Sequence, residues 1–122
     1  MTDDLDETFL AEAAAGRLSF QRCGACGHLR WPAGALCPEC WSPSFAWEAV
    51  EHGGSVWSFG VYDRAFDPAF EDKVPYVVAL VELDAGPRLI GNVVGVAPED
   101  VIVGMRVAAV FDDGLVQFGR AP

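Results

Sequence analysis

The chain has 122 residues and a mass of 13.1 kDa, which suffices for one modest hydrophobic core with an attachment. Hydrophobic residues make up 52% and charged residues 21%, a composition that excludes a disordered chain. Eighteen acidic residues oppose eight basic ones, and the resulting charge of −10 disfavours nucleic-acid and anionic-lipid partners. No apolar run approaches the roughly 18 residues of a membrane span, and the acidic residues 1–7 do not resemble a signal peptide. We therefore expect a cytoplasmic protein whose thiols stay reduced.

The first predicted element is a short helix over residues 6–15. Acidic residues in its first turn and a run of alanines favour a helix, and Gly16 is typical of a helix end. Phe9, Leu10 and Ala13 are expected on one face, which must rest on another part of the protein.

Four cysteines follow in two CxxC pairs, and ten residues separate the pair Cys23 and Cys26 from the pair Cys37 and Cys40. Two such turns that face each other arrange four thiolates in the tetrahedron that zinc prefers. Because a filled site of this kind leaves no open position for water, it predicts a structural rather than a catalytic zinc ion. Iron uses the same ligands and stays open as an alternative. Disulfides are disfavoured in a reducing compartment, and a redox CxxC pair would need a βαβ frame that the sequence does not show.

Residues 18–52 are predicted to form the ribbon that carries these turns, with short alternating segments beside each CxxC pair. Gly27 follows the first pair, where the backbone often needs a positive φ. Trp41 holds the matching place after the second pair, which indicates either a turn of different shape or an indole placed for a contact. Since so small a ribbon cannot easily bury three indoles, Trp31, Trp41 and Trp47 are candidate anchors for a partner protein.

Residues 53–122 are predicted to be all-β, with a bend in the first strand at Gly60. A helical turn is expected at residues 98–100, and residues 67–74 form a loop between the first two strands. Five short strands, a bent first strand and a helical turn after the third suit a small Greek-key barrel of the OB type, with an open β-meander as the alternative. The five predicted strands span residues 55–65, 75–84, 88–94, 105–111 and 115–118.

A helix, a four-cysteine ribbon and a barrel in this order resemble the DUF35 family of acyl-CoA-associated OB-fold proteins. The predicted parts are an N-terminal helix in residues 1–17, a rubredoxin-like zinc ribbon in 18–52 and an OB-fold domain in 53–122. Trp41 is the main departure, since the family more often has glycine there. The segments that carry the resemblance cover nearly the whole chain and are Gly16-Arg17-Leu18, Cys23-Gly24-Ala25-Cys26-Gly27, Pro32, Pro38, Gly53-Gly54-Ser55-Val56, residues 75–83, Gly86-Pro87-Arg88-Leu89 and Gly104-Met105-Arg106-Val107.

The resemblance implies a non-catalytic accessory subunit that stands beside a thiolase-fold enzyme, either a thiolase or an aldolase, and helps to form its acyl-CoA site. A related module joins a thiolase-fold aldolase in steroid side-chain degradation, and some members are fused to a hydratase. The partner would make or break a carbon–carbon bond in a CoA thioester. A dimeric partner would give a heterotetramer with two copies of each chain. The alternative is a free-standing acyl-CoA-binding module, and a nucleic-acid-binding protein is disfavoured because the barrel lacks a basic groove.

The residues themselves favour a helper protein over an enzyme. If a metal holds every cysteine, His28 and His52 are the remaining imidazole bases, and neither has a serine or carboxylate arrangement nearby. Alternation along the first barrel strand places Trp57, Phe59 and Val61 in the core. Residues outside that set are the better candidates for an acyl-CoA site or a partner interface. In the barrel these candidates are Tyr62, Arg64, Phe66, Phe70, Lys73 and Arg88.

Overall fold

The computed structural model describes residues 2–63 and 75–121, with side chains from residue 5 onward. The chain forms one helix, a three-stranded sheet and a closed five-stranded barrel, in that order. Within the described residues, no helix has both the length and the apolar character to cross a membrane. The elements are α1 (Thr2–Ala14), β1 (Leu18–Cys23), β2 (Leu29–Arg30), β3 (Phe45–Val50), β4 (Gly53–Tyr62), β5 (Tyr76–Leu83), β6 (Arg88–Val93), β7 (Arg106–Asp112) and β8 (Leu115–Arg120).

Helix α1 covers one face of the three-stranded sheet. It ends near the predicted residue, where Gly16 adopts a φ of 82°. Phe9 and Ala13 are buried, and the ring centroid of Phe9 lies 4.4 Å from that of Trp31. Leu10 is 55% exposed, so the prediction that it shares this buried face is wrong. The reason is helical geometry, since adjacent residues lie about 100° apart around the axis.

The sheet is a ribbon in which β1 is the central strand, paired antiparallel with β2 on one side and β3 on the other. Alternation divides β1 into two faces. Phe20 lies on the face that meets α1, where its ring is 5.9 Å from that of Phe9. Gln21 and Cys23 lie on the opposite face, where Gln21 pairs with Arg30 of β2. The cysteine end of the ribbon is therefore built on the face turned away from the helix.

The barrel has the strand order β4-β5-β6-β8-β7, and β7 pairs with β4 to close it. Strands β6 and β8 meet in parallel, which is the closure that an OB barrel requires. An open meander would instead pair β6 with β7, so the OB prediction is confirmed and the alternative is wrong. A 3₁₀ turn at Pro98–Asp100 follows the third barrel strand, as the sequence predicted.

The bend in β4 lies at Trp57 and not at Gly60. The register between β4 and β5 shifts by one residue after Val56 and is regular from Ser58 to the end of β4. Val56 itself is buried, at 1% exposure. The extra residue at this β-bulge turns Trp57 outward to 50% exposure, so its predicted place in the core is wrong. Phe59 packs against the core as predicted. The predicted place of Val61 in the core is also wrong, since this residue lies next to the end of β4 and is 47% exposed.

Apolar side chains fill the barrel and hold it together. They come from alternate positions of β5, and Phe118 of β8 is fully buried among them. Gly91 of β6 lies directly against this ring, and a Cβ at that position would be 2.9 Å from it. A glycine is therefore required where the β6–β8 seam closes. The buried residues of β5 are Val77, Ala79, Val81 and Leu83.

The ribbon and the barrel join at Gly53. The guanidinium of Arg106 donates to both carboxylate oxygens of Asp84, at 2.8 and 2.5 Å, and also to the hydroxyl of Ser55 at 3.1 Å. The backbone N–H of Asp84 donates to the carbonyl of Gly53 at 3.0 Å. A Cβ on Gly53 would lie 3.0 Å from the Asp84 carboxylate and 3.2 Å from the Arg106 guanidinium, so a larger residue there would displace these two side chains. This clasp fixes the strand that leaves the ribbon onto the barrel.

Candidate metal centre and partner surface

The two CxxC turns form matching knuckles at one end of the ribbon. In the first knuckle the N–H of Gly27 donates to the carbonyl of Cys23 at 3.1 Å, and in the second the N–H of Trp41 donates to that of Cys37 at 2.8 Å. Gly27 and Trp41 both have a positive φ, of 80° and 64°. The second turn therefore has the same positive φ as the first, which favours the second of the two alternatives, an indole placed for a contact, over a differently shaped turn.

The four cysteine sulfurs converge between the knuckles, and all lie within 4.8 Å of one another. The Sγ atoms of Cys23 and Cys40 are 3.5 Å apart, and those of Cys26 and Cys37 are 3.6 Å apart. A metal–sulfur distance of about 2.3 Å gives a tetrahedron with edges of about 3.8 Å, whereas a disulfide measures about 2.05 Å. The four thiols are free, and their spacing fits a shared tetrahedral metal such as zinc or iron.

The clustered thiols shift one another's pKa in opposite directions. The backbone N–H groups of Cys26 and Ala25 donate to the sulfur of Cys23 at 3.4 and 3.3 Å and lower the pKa of Cys23 to about 6. The pKa of Cys26 is raised to about 12, because the N–H of His28 favours its thiolate but desolvation and the neighbouring thiols together outweigh that effect. Four thiolates cannot share this space without a cation, and a divalent metal supplies the missing positive charge.

Trp41 is the exposed aromatic residue of the metal end of the ribbon. Its side chain is 73% exposed, and Leu36 in the preceding loop is 46% exposed. A left-handed backbone is unfavourable by roughly 1–2 kcal/mol for a residue with a Cβ, which is why glycine is usual at such a turn. A large apolar ring held in an unfavourable conformation and left in solvent adds little to the stability of the ribbon. It is, however, well placed to contact another protein.

The other two ribbon tryptophans are packed against the hydrophobic core. Trp31 lies under helix α1 against Phe9, and Trp47 meets Phe45 edge-on with ring centroids 6.4 Å apart. The ribbon therefore does not bury all three indoles, as expected, because Trp41 stays exposed to solvent. Helix α1 covers Trp31, and this long-range contact has no signal in the sequence of the ribbon.

Two of the barrel candidates, Tyr62 and Arg88, lie within the described residues, and they do not share one site. Tyr62 is 41% exposed and stacks on Tyr76, with ring centroids 5.3 Å apart. The guanidinium of Arg88 lies 4.0 Å from the ring centroid of Trp57 and pairs with Glu82 at 3.2 Å. Because Tyr76 and Glu82 are at opposite ends of β5, the two candidates are about 20 Å apart along the strand. The candidates that lie outside the described residues are Arg64, Phe66, Phe70 and Lys73.

A cleft of about 510 Å³ opens at the end of the barrel that carries Tyr76. The start of β5, the end of β6, the 3₁₀ turn and the β7–β8 hairpin contribute its walls. Val93 and Leu115 give it apolar surface, and Asn92 and Gln117 give it polar groups. No local sequence motif marks this cleft, because its walls come from segments that are far apart along the chain.

A cysteine-knuckle ribbon joined to a closed barrel of OB topology defines a class of two-part proteins, and family comparison agrees. Residues 10–46 match the family described as "ChsH2, rubredoxin-like zinc ribbon domain". Residues 47–112 match the family described as "ChsH2, C-terminal OB-fold domain". Together with the relatives below, these matches show that the chain belongs to the DUF35 family.

Relatives with known names cover most of the chain. It is 38% identical over 106 residues to a "DUF35 domain-containing scaffold protein" of Methanocaldococcus jannaschii, covering 80% of this chain and 74% of that protein. It is 50% identical over 105 residues to a "Probable enoyl-CoA hydratase alpha subunit" of Thermomonospora curvata, covering 84% of this chain but 32% of that protein. The chain thus spans about a third of the length of that relative.

A solved structure described as "Ltp2-ChsH2(DUF35) aldolase" contains a chain of the same fold. The TM-score is 0.84 with 39% sequence identity, and the match covers 96% of this chain and 94% of that one. The likeness therefore includes both the ribbon and the barrel.

Proposed function

We propose that this chain is a non-catalytic accessory subunit of a complex that processes CoA thioesters. Support comes from relatives named as a scaffold and as a hydratase subunit, and from the fold shared with a chain of an aldolase. We further propose that the partner is a thiolase-fold enzyme, either a thiolase or an aldolase, in a complex with two copies of each chain. A steroid side chain is one acyl group that the family resemblance supports. The free thiols fit a cytoplasmic location.

In this proposal the helix, the ribbon and the barrel have different roles. The ribbon of residues 18–52, covered by the helix of residues 1–17, docks on the partner. The barrel of residues 53–122 then closes part of the acyl-CoA channel, and the candidates Tyr62, Arg64, Phe66, Phe70, Lys73 and Arg88 remain proposals for that wall.

The metal in this proposal is a structural zinc ion held by Cys23, Cys26, Cys37 and Cys40. The spacing of the four sulfurs supports four-coordination, which leaves no site for a substrate or a water nucleophile. Iron would use the same ligands, so metal analysis of the purified protein, together with its visible absorption, decides between them. One zinc per chain and no visible absorption are expected. One iron with a thiolate charge-transfer band would assign iron instead.

The observation that carries the docking proposal is Trp41, whose backbone conformation and exposure do not benefit the isolated fold. Interface anchors are commonly tryptophans that enter a pocket on the partner. The surrounding charge points to a partner with a basic rim, since the chain has a net charge of −10. Trp47 and Trp31 are less suited to this role because both pack against the core.

Binding of the proposed thiolase-fold partner to this chain tests the proposal directly. Trp41→Gly should weaken binding by at least tenfold, which corresponds to about 1.4 kcal/mol. Trp41→Phe should retain most of the affinity because it keeps an aromatic anchor. Val110→Ser is a control, since Val110 is 40% exposed but lies on the barrel. Independent elution of the two wild-type proteins would contradict the subunit assignment, and unchanged binding by Trp41→Gly would contradict the anchor.

A free-standing acyl-CoA-binding module is the second candidate, and the cleft beside Tyr76 is the observation that favours it. Its mixed lining could hold an apolar chain with a few polar contacts. Calorimetric titration of the chain with an acyl-CoA separates the two functions. Saturable binding without a partner supports the module, and binding that needs the partner supports the subunit.

A further inference from the structure

Arg30 is a buried cation whose hydrogen-bond partners are uncharged. Its side chain is only 3% exposed. Its Nε donates to the amide oxygen of Gln21 at 3.2 Å, and its Nη2 donates to the carbonyl of Gly34 at 2.9 Å. Its Nη1 is buried and has no partner. A buried charge is strongly unfavourable unless another charge compensates it, so the structure calls for an anion in the ribbon.

The carboxylates of the ribbon do not supply that anion. Glu48 of β3 is held by the exposed Arg22, at 2.6 Å. Glu39 lies in the second knuckle and is exposed. Among the described residues, no carboxylate forms an ion pair with Arg30. Phe45 offers the face of its ring at 5.0 Å, which is a weaker source of negative potential than a charge.

The side chain of Arg30 crosses the ribbon from β2 to the ring of Phe45 on β3. It begins on β2 opposite Gln21 and reaches the ring of Phe45 on β3, which is itself opposite Cys23. The guanidinium therefore passes over the central strand β1 between Gln21 and Cys23. Alternation puts these two β1 residues on the same face, and the bond from Arg30 to Gln21 shows that the guanidinium lies on it.

We infer that Arg30 is the buried counter-charge of the metal–thiolate centre, a positioning residue for the metal proposed above. Four thiolates with a divalent ion carry a net charge of −2, and the attraction to a buried guanidinium is little screened. The cation in turn stabilises the thiolate form of the ligands. This inference goes beyond the proposed function, because it assigns the electrostatic balance of the ribbon to one residue, but it rests on the four cysteines holding a metal.

Zinc affinity, measured by competition with a chelator, tests the charge. Arg30→Gln keeps an amide donor but removes the charge, and should weaken zinc binding by about 10- to 100-fold, as is typical of lost outer-shell partners. Arg30→Lys keeps the charge and should stay close to wild type. Arg17→Gln is the matched control, since Arg17 is an exposed arginine that pairs with Glu12 and lies before β1, away from the cysteine knuckles. It should change the affinity by less than about threefold, since surface pairs contribute little.

A second readout separates charge from packing. With iron in place of zinc, the reduced centre carries one more negative charge than the oxidised centre, so a buried cation raises the reduction potential. Arg30→Gln should lower the potential and Arg30→Lys should not, with the far-ultraviolet circular dichroism of each unchanged. If Arg30→Gln does not fold, Arg30→Lys still decides, because a loss of zinc affinity in that variant as well would overturn the inference.

The outcomes also distinguish this inference from the metal assignment itself. Wild-type protein that binds no metal would contradict the metal site and the inference together. Wild-type protein with one metal per chain, and an Arg30→Gln variant with unchanged affinity and potential, would overturn the role of Arg30 alone.

Discussion

The ribbon and the barrel are held together in different ways. The barrel has a continuous apolar interior, with Phe118 fully buried at the seam. The ribbon buries the polar side chains of Ser19, Gln21 and Arg30, and its apolar contacts lie mainly under helix α1. The difference indicates that the barrel can rely on hydrophobic burial, whereas the metal end of the ribbon depends on a metal ion.

The two regions also differ in what they expose. The ribbon exposes Trp41 at a strained turn beside the candidate metal centre. The barrel exposes apolar residues such as Ile90 and Leu115, and its half-exposed Trp57 has the guanidinium of Arg88 over its ring. Scattered apolar residues are normal on a protein surface, but an indole at a position suited to glycine needs a reason. This difference supports the proposal that the ribbon carries most of the docking surface.

Loss of a metal ligand should break the ribbon and leave the barrel. Cys37 is fully buried, and structural zinc sites contribute about 10–16 kcal/mol of apparent folding free energy in zinc-finger peptides. Cys37→Ser should abolish metal binding and the amide-exchange protection of β1–β3, while protection of β4–β8 persists. Ala25→Ser, in the first knuckle but not a ligand, should retain both. Simultaneous loss of protection in ribbon and barrel would show that the two are not separable.

Truncation at the centre of the barrel should have the converse effect. Phe118→Ala should lower the free energy of unfolding of the barrel by about 3–5 kcal/mol, because it leaves a cavity against Gly91. Chemical denaturation followed by amide exchange measures this loss region by region. Ile90→Ala, at a residue that is 67% exposed, should change the free energy of unfolding of the barrel by less than about 0.5 kcal/mol. Release of the metal by Phe118→Ala before the barrel unfolds would contradict the division between the regions.

Trp41 should contribute to binding and not to stability. Trp41→Gly removes the strain of a left-handed backbone, which stabilises the fold, but makes the unfolded chain more flexible, which destabilises it. Because the two effects oppose each other, the free energy of unfolding should not fall by more than about 1 kcal/mol. Trp31→Ala, which uncovers a packed ring under α1, should cost about 3 kcal/mol. Thermal unfolding of the metal-loaded proteins compares them. A greater loss from Trp41→Gly than from Trp31→Ala would make Trp41 a structural residue.

The smallest effect is expected at the clasp between the regions. The hydrogen bonds from Arg106 lower the pKa of Asp84 below its usual value of 3.8. A depressed folded-state pKa stabilises the fold above the unfolded value, and the effect disappears as the pH falls through the folded value. Asp84→Asn should therefore lower the melting temperature at pH 7 but not at a pH below the folded pKa. Wild type and variant are compared at each pH, so that any release of metal at low pH affects both, and a difference that is independent of pH would contradict this account.

Much of this architecture is local in origin and could be predicted. The knuckles follow from CxxC spacing, the positive φ of Gly27 from its place after a knuckle, and the barrel strands from alternation and turn residues. The departures depend on long-range contacts. Trp57 faces outward because of how β4 pairs with β5, and Trp31 is covered because α1 folds over the ribbon.

The candidate site was predictable to the same extent. The four cysteines converge as their spacing indicates. In contrast, Tyr62 and Arg88 lie at opposite ends of the sheet, and the cleft beside Tyr76 is built from four distant segments. The burial of Arg30 also has no local signal, since it depends on a diagonal path across three strands.

The central claim is that this chain assists catalysis and does not perform it. The most direct test is turnover of a CoA thioester by the thiolase-fold enzyme proposed as its partner, measured for that enzyme alone, for this chain alone and for the mixture. We expect no turnover by this chain, weak or unstable activity of the enzyme alone, and full activity of the mixture. Turnover by this chain alone, or an enzyme that is equally active and stable without it, would contradict the account.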